Sequence, residues 1–198
     1  MKKGFCLLLA LVLCICCVPV MADGDDSYND GLKYMKQELY YSAYLAFLNS
    51  SDSRAPEMAE RCKQPWPKTK ELWHDNTLKN EKMELTIKVN QDKDQAFFAR
   101  IYKNGKAVSY VFIGGTGSVT VRLPGAKYSI KRGFGHDWYG VKEAFGRAGS
   151  YSNMLFNGDS EEIYLQQNNG YILTVNATES TGGKTVNSEG INWGEFMD

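Results

Sequence analysis

The stretch of sequence that decides the fold is residues 96–113, A-F-F-A-R-I-Y-K-N-G-K-A-V-S-Y-V-F-I. Two largely apolar segments, 96–102 and 107–113, flank the dipeptide Asn104-Gly105. This dipeptide supplies the two positive φ angles that a type I′ turn requires. The pattern therefore predicts a β-hairpin with a two-residue turn.

The sequence on both sides of this hairpin alternates between apolar and polar residues. The alternating segments are 83–89 before the hairpin and 118–123 and 127–131 after it. A period of two is typical of a strand with one buried face. Further strands are predicted near residues 151–156, 162–166 and 171–175. Seven or eight short strands separated by turns predict a mainly β protein, an antiparallel β-sandwich.

Residues 28–64 have helical periodicity. Apolar side chains recur at steps of three and four positions up to Phe47 and form one apolar face. Polar turn formers at 49–53 interrupt this pattern, and Pro56 suits the first turn of a second helix. We therefore expect an α-helical hairpin of two helices before the sandwich.

The remaining boundaries follow from composition. Residues 65–81 begin with Pro-Trp-Pro and continue as a polar, irregular stretch, which predicts a linker. The sandwich domain is assigned to 82–177. Residues 178–198 are expected to form a flexible C-terminal tail that ends in an apolar clamp on the sandwich. The clamp residues are Ile191, Trp193 and Phe196.

Residues 1–22 have the composition of a cleavable secretory signal peptide. Two lysines precede an apolar run at 5–20, and cleavage is predicted after Ala22. The run is about 16 residues long, slightly short of the roughly 20 that span a bilayer. An uncleaved membrane anchor and a lipid attached to a cysteine near the end of the run are the alternatives. We expect a secreted or extracytoplasmic protein.

Removal of this segment changes the charge and the cysteine content. The chain has 23 basic and 23 acidic residues, and loss of two lysines leaves 21 against 23, a formal charge of −2. This balance gives no electrostatic footprint for nucleic acid or anionic lipid as a partner. Four of the five cysteines precede Ala22, and the fifth, Cys62, is expected in the core.

Two stretches resemble known structural families. Tyr40, Ala43 and Phe47 match the G-x-Y-x-x-A-x-x-x-F spacing of a tetratricopeptide-like repeat, with Glu38 in the place of the glycine. Residues 121–130, V-R-L-P-G-A-K-Y-S-I, resemble a segment of prealbumin-like and carboxypeptidase-regulatory-like sandwiches. The second resemblance implies an Ig/prealbumin-like β-sandwich, in which the tyrosine after the turn packs on the core.

The chain from about residue 30 to 176 is also similar to a family of uncharacterised secreted proteins of Gram-positive gut bacteria. The blocks that carry this resemblance are Cys62 with Pro65-Trp66-Pro67, residues 110–117 and residues 138–146. The family implies an architecture and an extracellular location. It brings no activity with it.

The candidate ligand-binding surface is the glycine–aromatic segment 133–151. Aromatic rings beside glycines and polar side chains are typical of a sugar- or peptide-binding platform. The candidate ligand-binding residues are His136, Asp137, Trp138, Tyr139, Phe145 and Tyr151. The alternative is that Trp138, Phe145 and Tyr151 cover one open end of the sandwich.

The predicted helical hairpin is the second candidate surface, because a single repeat cannot bury its own apolar face. It either caps the sandwich or docks a partner protein. The candidate partner-docking residues are Tyr34, Tyr40, Tyr44 and Phe47.

We expect a non-catalytic binding or interaction module whose partner is a glycan, a peptide or an envelope protein. The alternative is a structural partner in an envelope complex that docks through the helical hairpin. A hydrolase using His136 with Asp137 or Glu143 is the third reading. No cofactor and no metal site are predicted, because the histidines and the cysteine show no ligand spacing.

Overall fold

The computed structural model describes residues 25–91, 94–156, 160–166, 170–176 and 188–198. The predicted signal peptide lies outside these residues, as does the part of the predicted tail before residue 188. No helix in the described segments is long and apolar enough to cross a membrane.

Within the described residues, three helices precede the strands. They are α1 (Asp26–Lys36), α2 (Tyr40–Leu48) and α3 (Ala55–Cys62). The strands are β1 (Lys70–His74), β2 (Met83–Asn90), β3 (Ala96–Lys103), β4 (Lys106–Gly114), β5 (Gly117–Leu123), β6 (Lys127–Gly135), β7 (Ser150–Met154), β8 (Glu162–Tyr164), β9 (Tyr171–Asn176) and β10 (Ser188–Ile191). A fourth helix, α4 (Trp193–Met197), follows β10.

The described strands form two sheets. The larger sheet has the order β1-β4-β3-β6-β7-β10, with β8 also paired to β6, and the smaller sheet has the order β5-β2-β9. Neighbouring strands are antiparallel, apart from the parallel pair β2 and β9. The protein is therefore mainly β with antiparallel sheets, consistent with the β-sandwich that the alternation predicts.

The central hairpin is confirmed. Asn104 and Gly105 have φ angles of 51° and 73°, and they join β3 to β4 as a type I′ turn requires. The tyrosine after the Pro-Gly turn also packs as expected. Tyr128 is fully buried and its hydroxyl donates to the Pro124 carbonyl at 2.8 Å.

The main core lies between the two sheets. It is built from the inward-facing side chains of both sheets, most of which are aliphatic. Its fully buried members include Leu85, Ile87, Val89, Phe97, Ile101, Val111, Ile113, Val121, Leu123 and Tyr128. The alternation in β2 and β5 thus reflects one face in this core and one face outside it.

Strand β3, in contrast, is buried on both faces. Phe97 lies in the core between the sheets, whereas Phe98 belongs to a second core on the opposite face of the larger sheet. That second core contains aromatic rings from the segment after β6 and from α4. A further layer, here called the outer layer and formed by residues 136–149, Trp66 and α4, therefore covers the larger sheet.

The segment predicted to be a linker belongs to the larger sheet. Residues 70–74 form β1, which pairs with β4, and Gln64 forms an isolated bridge with Trp138. A β-bulge between Glu71 and Trp73 disturbs the alternation of this strand. The linker prediction was wrong for residues 70–74, because the bulge hides the strand pattern.

The described part of the predicted tail, residues 188–198, forms a strand and a helix. Strand β10 pairs with β7, and the side chain of Asn192 caps α4 in a capping box with Glu195. Phe196 is fully buried in the second core, where Ile191 and Trp193 pack at its margin.

The helical region has three helices where two were predicted. The first predicted helix is divided after Lys36, and Glu38 adopts a φ angle of 59°, in the left-handed region. Glycine tolerates this conformation best, and Glu38 stands where the repeat pattern has its glycine. Helices α1 and α2 approach closely, because a Cβ atom on Gly31 would lie 2.5 Å from the Phe47 ring.

Truncation of the α4 anchor should destabilise the whole fold. We expect Phe196→Ala to lower the free energy of unfolding by about 3–5 kcal/mol, since it leaves a cavity in the second core. Urea denaturation measures this change. Ile172→Ala is the control, because Ile172 is 71% exposed on β9 and its loss should cost less than about 0.5 kcal/mol. Equal effects of the two variants would contradict the burial of Phe196.

Candidate ligand-binding cleft

The aromatic residues of the predicted platform are buried. Trp138, Tyr139, Phe145 and Tyr151 are only 4%, 3%, 1% and 5% exposed. Trp138 packs edge-on against Phe98, with ring centroids 5.0 Å apart. These four side chains form part of the protein interior, so they do not provide the exposed platform expected from the sequence.

The glycines of β6 allow the aromatic rings to pack closely on the strand. A Cβ atom on Gly133 would lie 2.6 Å from the Tyr151 ring, and one on Gly135 would lie 2.5 Å from Phe145. The rings therefore rest directly on the backbone of β6. The glycine–aromatic composition that suggested a binding loop is explained by close packing of rings on a sheet.

The two polar members of the platform, His136 and Asp137, are exposed. Their side chains are 61% and 53% exposed. Nδ1 of His136 lies 2.7 Å from the backbone oxygen of Asp94, and Asp137 lies 3.7 Å from the ammonium group of Lys63.

Glu143 binds the first residues of α2, whereas the hydrolase interpretation would need it beside His136. Its carboxylate, 3% exposed as a residue, accepts hydrogen bonds from the amides of Tyr41 at 2.6 Å and Ser42 at 3.2 Å. It also accepts from the Ser42 hydroxyl at 2.5 Å. Helix α2 has no side-chain cap at Leu39, and Glu143 satisfies its first amides across 102 and 101 positions of the chain.

The predicted docking residues of the helices make packing contacts within the protein. Phe47 is 2% exposed inside the three-helix cluster, and Tyr34 and Tyr40 pack at the edge of that cluster. Tyr44 lies against Tyr139, with ring centroids 5.6 Å apart. Helix α2 therefore contacts the outer layer through an aromatic side chain, that of Tyr44.

A polar cleft that the sequence analysis missed lies beside β1. It has a volume of about 630 Å³ and opens between β1, the segment that follows it, and the outer face of the smaller sheet. The lining residues are Glu71, His74, Asn76, Glu81, Glu84, Thr120 and Arg122. Charged groups from four elements thus converge on one cavity.

The β-bulge in β1 aims two of these residues at the cleft. Side chains at positions i and i+3 of a regular strand lie on opposite faces. Because of the bulge, Glu71 pairs with Val111 and His74 pairs with Ser109, two positions of β4 on the same face. Both side chains therefore point the same way, as bulges beside binding sites often arrange.

His74 lies between two carboxylates. Its Nδ1 is 2.7 Å from Oε1 of Glu71, and its Nε2 is 3.1 Å from Oε2 of Glu81. The buried hydroxyl of Ser109 donates to the same oxygen of Glu71 at 2.7 Å. The contact to Glu81 lacks the alignment of a full hydrogen bond and is mainly Coulombic.

The segment between β1 and β2 is folded by Asp75, which brings Glu81 back to His74. The carboxylate of Asp75 accepts from the amide of Thr77 at 3.0 Å and from its hydroxyl at 2.7 Å, and it pairs with Lys106 at 3.1 Å. The Thr77 hydrogen bonds, followed by Lys106, lower the pKa of Asp75 to about 2. Asp75 therefore keeps this turn in place at any physiological pH.

The two glutamates also affect the titration of His74. Partial burial of the ring opposes its charged form. The hydrogen bond to Glu71 and the charges of Glu71 and Glu81 outweigh that effect, so the pKa of His74 is raised above its ordinary value. The charged form of His74 is therefore stabilised by two carboxylates.

The opposite wall of the cleft is formed by the smaller sheet. Arg122 and Glu84 form an ion pair at 3.0 Å, and the hydroxyl of Thr120 lies 2.8 Å from that of Thr86. Within the described residues, no group of three or more His, Cys, Asp or Glu side chains is arranged to hold a metal ion. The cleft offers charges and hydrogen-bonding groups.

The sequence held a weak signal for this site. His74 is one of two histidines after residue 22, and glutamates lie three residues before and seven after it. That concentration of acids around a histidine was visible. The bulge and the turn at Asp75, which bring the three side chains together, were not.

The cap that Glu143 provides predicts a measurable loss on neutralisation. Glu143→Gln should lower the free energy of unfolding by about 1.5–3 kcal/mol, since one acceptor oxygen is replaced by an NH2 donor and the remaining hydrogen bonds lose the charge of the carboxylate. Amide hydrogen exchange should accelerate in α2 before it does in β3. Glu57→Gln is the control, because Glu57 is exposed in the first turn of α3 and should cost less than about 1 kcal/mol. Slow exchange retained in α2 would rule out this capping role.

The raised pKa of His74 predicts a dependence of stability on pH. A raised folded pKa contributes stability below the unfolded value of about 6.5, and this contribution is lost as pH rises through the folded pKa. We expect the melting temperature to fall as the pH rises above about 6.5, and His74→Gln to remove part of that fall. Identical slopes in wild type and His74→Gln would contradict the arrangement.

Comparison with known proteins leaves the geometry as the basis for any functional inference. No family model, curated protein or solved structure matches this chain. The tetratricopeptide-like, prealbumin-like and secreted-family likenesses rest on the quoted motifs.

Proposed function

We propose that this protein is a secreted, non-catalytic binding module whose ligand occupies the cleft around His74. The observation that carries the proposal is the cleft itself, where seven polar residues from separate elements face one cavity of about 630 Å³. Cavities of roughly 300–1,000 Å³ are typical of small-molecule and fragment sites. A glycan or peptide segment fits the hydrogen-bonding character of this lining.

The contrast with the aromatic segment supports this location. Trp138, Tyr139, Phe145 and Tyr151 are buried, whereas Glu84, Thr120 and Arg122 are exposed at the mouth of the cleft. A ligand can reach the second set without any rearrangement. The binding role expected from the sequence is therefore proposed for a different surface.

The hydrogen bonds inside the cleft favour binding over nucleophilic catalysis. A nucleophile must contact the histidine that acts as its base. Here the hydroxyl of Ser109 donates to Glu71, and His74 bonds to the same oxygen of Glu71. Ser109 is also fully buried. The arrangement orients Glu71 and His74 for a ligand.

The type of sandwich and the role of the helices belong to the same proposal. We infer an Ig/prealbumin-like sandwich because Tyr128 packs back to Pro124 across its turn. The three helices act as a cap on the outer layer, fixed by Glu143. Docking to an envelope partner through the helices is the second candidate, favoured by Leu48, which is 57% exposed on α2.

Binding assays with paired variants test the proposed location. Glycan and peptide arrays are probed with the wild type and with Glu84→Gln/Arg122→Gln, which removes an exposed ion pair at the cleft. We expect binding to fall at least tenfold with little change in melting temperature, since exposed pairs contribute about 0–1 kcal/mol.

The control removes an equivalent ion pair elsewhere. Lys127→Gln/Glu162→Gln neutralises an exposed pair of 3.3 Å between β6 and β8, and His136→Ala removes the exposed ring of the former candidate surface. Both should bind as the wild type does. Loss of binding in His136→Ala with full binding by the cleft variant would overturn the proposal and return the site to the segment after β6.

A further inference from the structure

We propose that the guanidinium of Arg132 binds the carboxylate group of a ligand, at a second site on the face of β6 and β7 that is turned toward the smaller sheet. Strand β1, which lines the cleft, and β6 are three positions apart in the larger sheet. The inference therefore goes beyond the proposed function, because it concerns another surface and a ligand of defined charge. Its basis is the burial of Arg132, its hydrogen bonds and the open space beside it.

Arg132 lies at the margin of the core between the sheets. Side chains two positions apart on a strand share a face, and both Ile130 and Phe134 pack in that core. The register places Arg132 between Ala99 of β3, which is also in the core, and Ser152 of β7. Arg132 is only 8% exposed. A charged side chain is thus held almost entirely out of water.

The charge of this side chain has no counter-ion among the described residues. None of their ion pairs includes Arg132. Removal from water lowers the pKa of Arg132 below its ordinary value. Because an arginine nevertheless stays protonated at any physiological pH, the protein buries an uncompensated positive charge. Such a charge is costly, and a bound anion offsets that cost.

The hydrogen bonds of Arg132 leave its terminal nitrogens available. Nε donates to the Ser152 hydroxyl at 2.9 Å, and the guanidinium carbon lies 5.6 Å from the centroid of the Phe134 ring. In the described part of the chain, the two terminal nitrogens make no hydrogen bond. Arg100, which is also buried, differs in this respect, because its terminal nitrogens donate to three backbone carbonyls. Ser152 accepts from Nε and still has its own hydroxyl proton to donate.

Open space lies on the other side of Ser152. Gly190 of β10 pairs with Ser152, so the two positions share a face of the sheet. A Cβ atom on Gly190 would have no described atom within 4 Å. Ser150, the preceding residue of β7 on this face, is exposed. A small ligand group can therefore reach Ser152 and the guanidinium from the side of β10.

The number and arrangement of the donors favour a carboxylate. The planar fork of a guanidinium matches the two oxygens of a carboxylate, and one arginine neutralises its single charge. The adjacent cation, Lys131, is directed elsewhere and donates to the carbonyl of Glu195. A phosphate dianion at this site would keep an excess negative charge that is partly removed from water. Sugar acids and peptide-like acids share the required chemistry.

Two-dimensional NMR of the full-length protein tests this with sodium acetate at pH 6.5. The Nε–Hε signals of the arginine side chains are followed while sodium chloride keeps the ionic strength constant. We expect the Arg132 signal to shift and to saturate, whereas the signal of Arg61, which is exposed on α3, should shift little and without saturation. Acetamide, of similar shape without the charge, should have no effect. A signal of Arg132 that does not saturate, or that responds equally to acetamide, overturns the inference.

Further ligands define the class. Inorganic phosphate should bind at least tenfold more weakly than acetate, and tighter binding of phosphate would overturn the choice of a carboxylate. Glucuronate and N-acetylglycine represent the two sources, a sugar acid and a peptide-like acid. We expect at least one of them to bind more tightly than acetate, and the tighter one identifies the source. Failure of both to bind would contradict the site.

Variants test the role of the guanidinium. A ligand that binds the folded state raises the melting temperature, so the effect of acetate on it reports binding. Arg132→Met should abolish this effect, and Arg132→Lys, which keeps the charge without the fork, should weaken it at least threefold. Arg61→Met is the matched control and should respond as the wild type does. An acetate effect retained in Arg132→Met overturns the inference, and the wild-type titration decides even when a variant fails to fold.

The cleft variant separates this inference from the proposed function. Glu84→Gln/Arg122→Gln removes the arginine of the cleft and should leave the acetate titration unchanged. Loss of acetate binding in this variant would assign the carboxylate to Arg122 and overturn the second site. Array binding that fails to respond to the cleft variant contradicts the proposed function and leaves the result for Arg132 unaffected.

Discussion

The structure depends on one constraint: both faces of the larger sheet must be covered. Strand β3 lies at its centre, with Phe97 in the core between the sheets and Phe98 on the other face. A sheet with large apolar side chains on both faces is stable in water only when a second layer packs on each of them. The smaller sheet provides one layer, and the outer layer provides the other.

Buried polar groups hold the outer layer in place. Arg100, on the outer face of β3, donates to the carbonyls of Phe196 at 3.2 Å, Met197 at 3.0 Å and Val141 at 2.8 Å. Glu143, in the same layer, caps α2. One charged side chain thus joins β3 to α4 and to the outer segment, and a second joins that segment to the helices. Because these charges have their partners inside the protein, removing one partner costs far more than removing an exposed ion pair.

This constraint also explains where the sequence was informative. The β3–β4 hairpin could be predicted because Asn104-Gly105 has a local conformational requirement. Strands β2 and β5 could be predicted because one of their faces is exposed and they alternate. Strand β1 could not, since its bulge breaks the alternation. The role of Glu143 depends on a contact with Tyr41 across 102 positions, and no local pattern reports such a contact.

The same difference between local patterns and long-range contacts applies to the candidate site. A segment rich in glycine and aromatic residues can form either an exposed binding platform or a set of rings packed on a sheet, and its composition is the same in both cases. The choice is made by Phe98 on β3 and Phe112 on β4, which need a cover and are distant in sequence from Trp138. The cleft was missed for the opposite reason, because four of its seven lining residues, at positions 71, 74, 76 and 81, lie in a polar stretch without a regular pattern. The bulge and the turn at Asp75 bring them together.

The most direct test of the outer layer is the reactivity of the tryptophans. Hydroxyl-radical footprinting read by mass spectrometry reports the solvent exposure of each indole in one experiment. Trp73, 41% exposed on β1, should be oxidised fastest, and Trp138, 4% exposed beneath the outer layer, should be oxidised slowest. Oxidation of Trp138 at the rate of Trp73 would show that the glycine–aromatic segment is open to solvent, and it would contradict a closed outer layer over the larger sheet.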